Sequence, residues 1–238
     1  MLRKYLPTPV KRHYQVGRRY LREHFLQKKS FALQYKLSLS LKYQQTWQQD
    51  IKVSALFANK AHNIDLCLEN LNGLVIHPQE IFSFWHLIPQ PSEKNGFKVG
   101  RNLRNGQIAE EIGGGICQVS CILYILALKN DFKIIERHAH SVDIYQEHER
   151  FTPLGSDATV VYGYKDLQFQ NPFDFPIVLE CFREDQQLFC RFHSNVVFPN
   201  HPLTFKTHLA KQHKRVFTYV NHVQTHESQY QYPTQCYA

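Results

Sequence analysis

The clearest hydrophobic pattern in the chain runs from residue 118 to residue 129. Its apolar residues recur at the spacing of one helix face, with no glycine or proline among them: Val119, Ile122, Leu123, Leu126 and Ala127. Such spacing is typical of a helix packed against a core. The pattern therefore predicts one helix over Gln118–Lys129. The run Gly113-Gly114-Gly115-Ile116-Cys117 leads directly into it.

Shorter runs of β-branched, aromatic and alternating residues predict strands around this helix. The predicted strands are Leu74–Ile76, Gln107–Ile112, Phe132–His138, Ala158–Tyr162, Leu167–Gln170, Pro176–Phe182 and Gln187–His193, with Phe217–Val220 as a further candidate. A second helix is predicted over Ala61–Leu71, because Asn72-Gly73 is a good helix stop. The prediction is an α+β fold, in which a mixed or antiparallel sheet surrounds a central helix that starts at the Gly-Gly-Gly-Ile-Cys motif.

Three segments follow from these patterns. Residues 1–50 are predicted to form a basic, mostly helical N-terminal extension, and residues 51–198 the α+β domain. Residues 199–238 are predicted to be a C-terminal extension that is partly loose, because the last ten residues carry little hydrophobic pattern. With 238 residues, of which 43% are hydrophobic, the chain is long enough for one large domain with such extensions.

The positive charge is concentrated near the N-terminus. The formal net charge is +8, and residues 1–36 hold ten Lys and Arg against one acid, Glu23. Leu21, Phe25 and Leu26 interleave with these charges. Two interpretations follow: a partly helical arm that packs on the domain, or a segment that docks on an anionic membrane surface. No nucleic-acid-binding motif accompanies the charge, so no specific nucleic-acid partner is predicted.

The cysteines and the N-terminus predict a cytoplasmic location, with the inner membrane face as a candidate place of attachment. Six cysteines are scattered along the chain, which is not the spacing of a disulfide scaffold. No CxxC pair is present, so a structural zinc site is not predicted. Charged residues interrupt residues 1–36, and neither a signal peptide nor a transmembrane helix is expected there.

Cys117 is the first candidate for chemistry. The three preceding glycines allow a sharp turn and leave amide N–H groups available to a ligand. A thiol in the first turn of a helix feels the positive end of the helix dipole, which favours the nucleophilic thiolate. The alternative is a small buried cysteine after a glycine turn, which is common in protein cores.

A cysteine nucleophile needs a base, and the base needs an acceptor that orients it. If the strand after residue 132 continues, His138 and His140 lie on one face. We favour His140 as the base and His138 as a neighbouring or substrate-contacting group, although either is equally compatible with a structural histidine. Asp157 orients the base in this hypothesis. Alternatively, Asp157 caps the turn formed by Gly155-Ser156-Asp157.

Further residues are candidates for binding the substrate. The amides of Gly114 and Gly115, and the side chain of Gln118, are candidates to stabilise a developing oxyanion. Arg137 is a candidate to bind a substrate carboxylate with two hydrogen bonds, although a regular strand would point it away from the histidines.

Six short motifs follow one another between about residues 75 and 195. They are Phe82-Ser83-Phe84, Val99-Gly100, the run from Gly113 to Ser120, the run from Glu136 to Ser141, the run from Pro153 to Val160, and the run from Leu167 to Asn171. With these motifs the chain resembles the vancomycin-resistance protein W (VanW) family, and the glycine–cysteine motif is specific. The family is named for accessory proteins in glycopeptide-resistance clusters. Some relatives are implicated in peptidoglycan cross-linking as L,D-transpeptidases, and Cys117 matches their catalytic cysteine.

Three functions remain open at this point. The first, implied by the resemblance, is a cysteine-dependent acyl-transfer enzyme, L,D-transpeptidase-like or an amide hydrolase, acting on a peptidoglycan peptide or a precursor. The second is a non-catalytic accessory protein that binds an anionic group at the glycine turn. The third is a metal site made of Cys117, His138, His140 and Asp157. No short metal-ligand spacing supports the third, so neither a metal nor a cofactor is predicted.

The predicted location narrows the first of these functions. Transpeptidases of this kind act outside the cytoplasmic membrane, whereas the sequence shows no export signal. A soluble or lipid-linked precursor at the inner leaflet is therefore the expected substrate.

Overall fold

The computed structural model describes residues 7–35, 41–104, 107–143 and 150–233. Within these ranges the α-helices are α1 (Thr8–Leu21), α2 (Phe57–Leu71), α3 (Phe84–Leu87) and α4 (Cys117–Lys129). A π-helical turn, Arg22–Leu26, continues α1, and a 3-10 turn covers Glu93–Asn95. None of the described helices is both long and apolar enough to cross a bilayer.

The strands of the described residues pair into four antiparallel sheets. They are β1 (Gln34–Tyr35), β2 (Tyr43–Asp50), β3 (Leu74–Ile76), β4 (Ile81–Ser83), β5 (Val99–Arg104), β6 (Gln107–Ile112), β7 (Lys133–Glu136), β8 (Gln168–Gln170), β9 (Ile177–Glu184), β10 (Gln187–Ser194), β11 (Leu203–Leu209), β12 (His213–Val220) and β13 (Val223–Gln231). The main sheet has the order β1-β3-β9-β10-β2, and the smaller ones are β4-β8-β7, β11-β12-β13 and β5-β6. The fold is α+β, as predicted.

Helix α4 lies at the centre of the molecule, with every residue from Gln118 to Leu128 buried. It packs on β2 and β10 of the main sheet, and on α2 and β7. A helix that is buried on all sides lies in the interior of its domain. The five apolar residues of the predicted face are therefore only part of its buried surface, and the Cys117 end of α4 is fixed by packing around the whole helix.

The N-terminal segment is helical only in part. Helix α1 and the turn after it account for residues 8–26, whereas Tyr43–Asp50 forms β2, which pairs along its whole length with β10. Tyr43 and Trp47 of β2 pack against the core, and Gln44 and Thr46 are exposed. Residues 43–50 therefore belong to the main sheet, although they fall inside the predicted helical extension.

Helix α1 is attached to the rest of the molecule by an arginine. Arg19 donates to Glu136 of β7 through two hydrogen bonds and lies 3.4 Å from Asp166, measured from Nη2 to Oδ2. Its Nε is 3.1 Å from the fully buried Glu23. Desolvated charges are stable only when they are paired. The part of the basic arm around Arg19 is thus packed on the domain.

The C-terminal segment is more ordered than predicted. Strands β11, β12 and β13 form an antiparallel meander over residues 203–231, in place of the single candidate strand Phe217–Val220. In β13 the side chains of Ser228 and Tyr230 are buried and those between and beside them are exposed. One face of the meander is therefore packed on the molecule.

Two predicted strands near the site differ in the structure. Strand β7 ends at Glu136, so residues 137–140 are not extended β-structure. Residues 158–160 form no strand at all, and Val161 makes only an isolated bridge to Lys165. The backbone here hydrogen-bonds to other partners: Thr159 N–H donates to the His138 carbonyl at 2.8 Å, and Ala158 N–H to the Cys121 sulfur at 3.2 Å. A buried backbone must be satisfied, but a sheet is not required for this.

Most of the other predicted elements are confirmed. Helix α2 ends at Leu71 before Asn72-Gly73, with Gly73 at φ +83°, and it begins four residues earlier than predicted. Strands β3, β6, β8, β9 and β10 lie within a few residues of their predicted positions. Strands β5 and β6 pair as a hairpin, and its reversal at residues 105–106 lies outside the described residues.

Candidate functional site

The glycine turn before α4 is required by close packing. Gly114 lies against the backbone of Gly100 in β5, so that a Cβ at position 114 would come 2.1 Å from the Gly100 carbonyl carbon. Gly113 and Gly115 have φ values of +83° and +99°, where a side chain is strained. A Cβ at position 115 would also come 2.5 Å from Cγ of Lys60. The turn thus brings β5 and α2 up to the start of α4.

This turn leaves two amides without a partner. The amides of Gly114, Ile116 and Gln118 donate to carbonyl groups of the turn and of β6. Within the described ranges, the amides of Gly115 and Cys117 have no hydrogen-bond acceptor. Both residues line the cavity described below. Of the predicted glycine donors, Gly115 is therefore available to a ligand, whereas the Gly114 amide is engaged at 3.1 Å with the Glu111 carbonyl.

Cys117 is the first residue of α4 and is partly buried. Its Sγ lies 3.9 Å from Thr159 Oγ1 and 3.9 Å from the Val160 carbonyl. Burial alone would raise the pKa of the thiol. The hydrogen bond and the positive charge of His140 outweigh burial, and they hold the pKa of Cys117 below the ordinary thiol value. The structure therefore favours a thiolate paired with a protonated imidazole.

His140 is held by Asp157 through two contacts to one oxygen. Its Nδ1 lies 2.6 Å from Asp157 Oδ2, and its backbone N–H donates to the same oxygen at 2.7 Å. This arrangement leaves Nε2 for the thiol. Burial would lower the pKa of the His140 ring, but its hydrogen bonds and charge interactions with Asp157 and Cys117 raise that pKa to about 10.

The second carboxylate oxygen of Asp157, Oδ1, is bound by Tyr230 and Arg137. Oδ1 accepts a hydrogen bond from the Tyr230 hydroxyl of β13 and one from Arg137 Nη2 at 3.0 Å. Arg137 Nε also donates to the Asp157 carbonyl at 2.7 Å. Burial would raise the pKa of the Asp157 carboxyl, but His140 and the charge of Arg137 keep it well below its usual range. Asp157 is therefore ionised and fixed in place, as an orienting carboxylate must be.

The structure separates His138 from His140. Because β7 ends at Glu136, the alternation that placed both histidines on one face does not apply. His138 Nε2 lies 3.0 Å from Glu136 Oε1, and His138 is not part of the cavity wall. Of the two histidines, His140 alone contacts both Cys117 and Asp157.

Arg137 is also displaced from its predicted position. Its guanidinium donates to Asp157, Gly155 and Ser228, and its side chain is only 6% exposed. It lies over the Tyr124 ring, 4.9 Å from the ring centroid, and it does not line the cavity. The predicted contact with a substrate carboxylate does not fit this geometry. Arg137 instead positions Asp157.

A cavity of about 380 Å³ opens above Cys117. Cys117, His140, Asp157 and Tyr230 form its floor together with Gly115 and Gln118. The walls come from the segment after β2, from α2, from β5 and from the loop at residues 150–154: Lys52, Val53, Ser54, Lys60, Arg101, Asn102, Arg150, Phe151, Thr152, Pro153 and Leu154. The remaining lining residues are Val142 and Asp143. The volume suits a small ligand or a short piece of a peptide.

Gln118 is fixed differently from the prediction. Its side-chain Nε2 donates to the Asp50 carbonyl at 2.9 Å, so one of its donors is already used. Its Oε1 is buried and has no partner, while the residue is 2% exposed and lines the cavity. An unsatisfied buried acceptor is costly, and a ligand N–H would satisfy it. Gln118 is thus better placed to accept a hydrogen bond from a ligand than to donate one to an oxyanion.

The proposed metal ligands do not converge. His138 binds Glu136, whereas Cys117, His140 and Asp157 form a chain in which His140 stands in the middle. Across residues 7–35, 41–104, 107–143 and 150–233, no three His, Cys, Asp or Glu side chains are grouped to hold a metal ion.

The fold and the site define a class of α+β protein. Its central helix is buried and begins with a cysteine, and a histidine–aspartate pair lies beside that cysteine. Residues 59–193 match the family described as "VanW like protein". The chain belongs to this family. The match includes Cys117, His140 and Asp157, and it ends before the β11–β13 meander.

Curated relatives agree with this assignment. The chain is 37% identical over 116 residues to the Vancomycin B-type resistance protein VanW of Enterococcus faecalis (strain ATCC 700802 / V583), covering 49% of this chain and 42% of that protein. It is 30% identical over 139 residues to the uncharacterized protein YoaR of Bacillus subtilis (strain 168), covering 58% of this chain and 44% of that protein. The chain thus spans less than half the length of each. No solved structure matches it.

Sequence patterns did not indicate several residues of the site. Tyr230 and Ser228 lie in a polar stretch of the predicted loose tail, and their alternation in β13 was the one signal they offered. Thr159 and Lys60 carried no motif of their own. Ser120 Oγ donates to the Ala158 carbonyl at 2.6 Å and fixes the segment beside Cys117.

Proposed function

We propose that the protein is a cysteine-dependent acyl-transfer enzyme with Cys117 as its nucleophile. The observation that carries this proposal is the placement of Cys117, His140 and Asp157 at the floor of an open cavity, where His140 binds Asp157 and interacts with Cys117. Activated cysteine nucleophiles in proteins have this arrangement of thiol, base and orienting acceptor.

In the proposed reaction, the Cys117 thiolate attacks an amide carbonyl carbon and forms a tetrahedral intermediate. Protonated His140 then gives its Nε2 proton to the departing amine, the C–N bond breaks, and a thioester remains on Cys117. An incoming amine or water loses a proton to His140 as it attacks the thioester carbon. The thiolate leaves and the new amide or acid is released, so hydrolysis and transfer differ only in the acceptor.

The proposal assigns two amides to the stabilisation of the intermediate. One is the N–H of Cys117 itself, and the other is that of Gly115, two positions earlier. Both residues line the same cavity, and neither N–H has an acceptor in the described part of the chain. The first turn of α4 adds the positive end of its dipole. Donors that are preorganised in this way contribute substantially to acyl transfer, on the order of 10²–10³ in kcat for one donor.

The proposed substrate is a peptidoglycan peptide or a precursor of it. Membership of the VanW-like family supports this, together with the similarity to a relative named for vancomycin B-type resistance. The cavity volume and its opening also suit a peptide end. The proposal covers the chemistry of this domain, since the relatives are more than twice as long as the matched region.

We further propose that the arm of residues 1–36 brings the protein to an anionic membrane surface. Leu21, Phe25 and Leu26 are 57%, 66% and 80% exposed, next to the exposed basic residues Arg22 and Lys28. Exposed apolar side chains beside basic ones are typical of interfacial segments. Arg19 and Lys29 take no part, because their charges are directed to Glu136 and Gln168 in the interior.

The pH dependence of iodoacetamide alkylation at each cysteine, measured by peptide mass spectrometry, tests the nucleophile. Cys117 is expected to react with an apparent pKa below the ~8.5 of a free thiol. Cys67 and Cys121, whose pKa values burial raises, are expected to react far more slowly. Cys117→Ala is the control for assignment. Reaction of Cys117 no faster than that of Cys67 would remove the basis of the enzyme proposal.

A non-catalytic ligand-binding function is the second candidate. The basic residues in the cavity wall favour it, because Lys52, Lys60 and Arg101 all line the space above Gly115. Cys117→Ser distinguishes the two functions. In an acyl-transfer enzyme this variant loses turnover of peptide substrates and thioester formation, whereas a binding protein retains its ligand affinity and its resistance-linked role unchanged.

A further inference from the structure

Lys60 lies in the wall of the cavity, and no carboxylate of the described residues pairs with it. It lies in the first turn of α2, where the positive end of the helix dipole disfavours a positive side chain and no acidic residue is present. Its aliphatic stem packs on Gly115, and its Nζ lies 5.8 Å from the centroid of the Phe151 ring. Within the described ranges it forms no ion pair.

Among the described residues, two acids line the same cavity, Asp143 and Asp157, and both are already paired. Asp143 accepts two hydrogen bonds of 2.6 Å from Arg150, and Lys214 lies 2.7 Å from it. Asp157 is bound by His140, Arg137 and Tyr230. Neither carboxylate is therefore available to Lys60. Arg101 lies close enough to act on Lys60 through its charge.

Burial, followed by the charge of Arg101, lowers the pKa of Lys60 to about 8. A half-buried ammonium group beside a second cation and a helix N-terminus is unfavourable for the fold in three ways. A negatively charged ligand would offset all three at once. The stem of Lys60 packs on Gly115, which is two positions before Cys117 in the sequence. Such a ligand group would therefore lie next to the reacting carbonyl.

We infer that Lys60, supported by Arg101, forms a subsite for a carboxylate of the substrate next to the bond that Cys117 attacks. This rests on the proposed acyl-transfer function and narrows its substrate class to peptides that carry a free carboxylate close to the reacting amide. The buried Gln118 Oε1, which lacks a partner, supplies an acceptor for a peptide N–H at the same floor. The subsite thus recognises an acidic peptide end from two directions.

The first test follows Lys60 itself and needs no turnover. Lysines of the Cys117→Ala chain are ¹³C-methylated and titrated by NMR, with Lys60→Arg to assign the signal. N-acetylalanine is expected to raise the titration midpoint of Lys60 and to leave the signal of Lys94, which is exposed and lies outside the cavity, unchanged, while N-acetylalaninamide has no effect. An equal shift with inorganic phosphate, or no shift with N-acetylalanine, would overturn the carboxylate assignment, whatever the reactivity of Cys117.

The second test uses protection of Cys117 from iodoacetamide by N-acetylalanine. Lys60→Gln is expected to raise the concentration for half protection about tenfold, as for loss of one charge-assisted hydrogen bond. Lys60→Arg should restore most of it, and Lys94→Gln, at an exposed lysine outside the cavity, is the matched control. Protection should weaken as the pH rises through about 8, because Lys60 then loses its charge. Unchanged protection in Lys60→Gln contradicts the subsite even if alkylation shows a reactive Cys117.

Discussion

Tyr230 donates its hydroxyl hydrogen bond to Oδ1 of Asp157, across 73 positions of sequence. The same hydroxyl accepts the Gly155 N–H at 3.1 Å, so it joins the turn before Asp157 to the carboxylate itself. Through this contact the C-terminal meander supports the residue that orients His140. The site is therefore completed by an element outside the region of family similarity, residues 59–193.

Tyr230→Phe is expected to weaken the site without unfolding the protein. The buried carboxylate and the Gly155 amide each lose a partner, which costs about 1–3 kcal/mol of unfolding free energy. Asp157 then holds His140 less firmly, so the pKa of Cys117 rises and its alkylation at neutral pH slows severalfold. The measurements are urea unfolding and alkylation rate. Tyr232→Phe is the matched control, because the Tyr232 hydroxyl binds the Ala210 carbonyl at the surface. Equal effects of both variants would contradict this role of Tyr230.

His140→Ala and His138→Ala are expected to differ sharply. Removal of His140 takes away the hydrogen bond and charge that lower the Cys117 pKa, whereas burial, which raises it, remains. Alkylation of Cys117 should then fall at pH 6–7 and recover only at higher pH. His138→Ala removes a contact to Glu136 and should leave the alkylation profile in place. A profile that shifts with His138→Ala and not with His140→Ala would reverse the assignment of the base.

Arg19→Gln is expected to destabilise the fold. The variant leaves Glu136, Asp166 and the fully buried Glu23 without their shared cation, and the loss of one partner from a buried ion pair costs about 3–5 kcal/mol. Thermal unfolding measures the effect. Arg18→Gln, one position earlier and exposed, should change the melting temperature little. Equal melting temperatures for the two variants would show that α1 is not held by this cluster.

Phe25→Ser with Leu26→Ser tests the membrane proposal without disturbing the attachment of α1. Both side chains are exposed, so the melting temperature should be unchanged. Sedimentation with anionic phosphatidylserine-containing vesicles should fall by roughly tenfold or more, because each large apolar side chain contributes about 1.5–3 kcal/mol on burial. Neutral vesicles serve as the control. Failure of the parent chain to sediment with anionic vesicles would contradict the proposal outright.

Cys181 and Cys190 are expected to form a disulfide under oxidation. They are direct partners in the β9–β10 pairing, and their sulfurs lie 3.0 Å apart. Excess oxidised glutathione would take up the two hydrogens and be reduced to two thiols, leaving one S–S bond across the strands. Peptide mapping after blocking of free thiols measures it. Cys67 and Cys121 are buried internal controls that should remain free. Oxidation of those two at the same rate would indicate global unfolding instead.

The sequence predicted the parts of the fold whose side-chain pattern and backbone partners agree. Helix α4 has an unbroken apolar pattern. Strands β9 and β10 have alternating side chains and are bounded by turn-forming residues. In these elements, local preference and packing favour the same secondary structure. Residues 158–160 have strand-forming side chains, but the amides of Ala158 and Thr159 donate to Cys121 and His138, a choice that only the tertiary structure determines. Strand β2 is rich in glutamine and pairs at a sheet edge, which conceals the inward-facing Tyr43 and Trp47.

The same limit applies to the site. Cys117, His140 and Asp157 carry recognisable chemistry in a recognisable order, and the structure brings them together. The sequence predicted that Arg137 binds a substrate carboxylate, because it shows the charge of Arg137 but not the residues that this charge contacts. The four acceptor atoms of Arg137 belong to three residues, Asp157, Gly155 and Ser228, and Ser228 lies 91 positions away. Contacts at such separation depend on how the meander docks, which no local pattern contains.

The position of Tyr230 near the end of the described chain has a consequence for protein synthesis. The ribosome makes Cys117, His140 and Asp157 well before β13, and domains generally fold from the N-terminal side as they emerge. Until β13 pairs with β12, the nascent chain lacks the hydrogen bond from Tyr230 to the Asp157 carboxylate. We therefore expect the Cys117 thiol to be less acidic during that time. The order of translation would then delay the appearance of a reactive sulfur until β13 has paired, which protects the unfinished chain from premature modification.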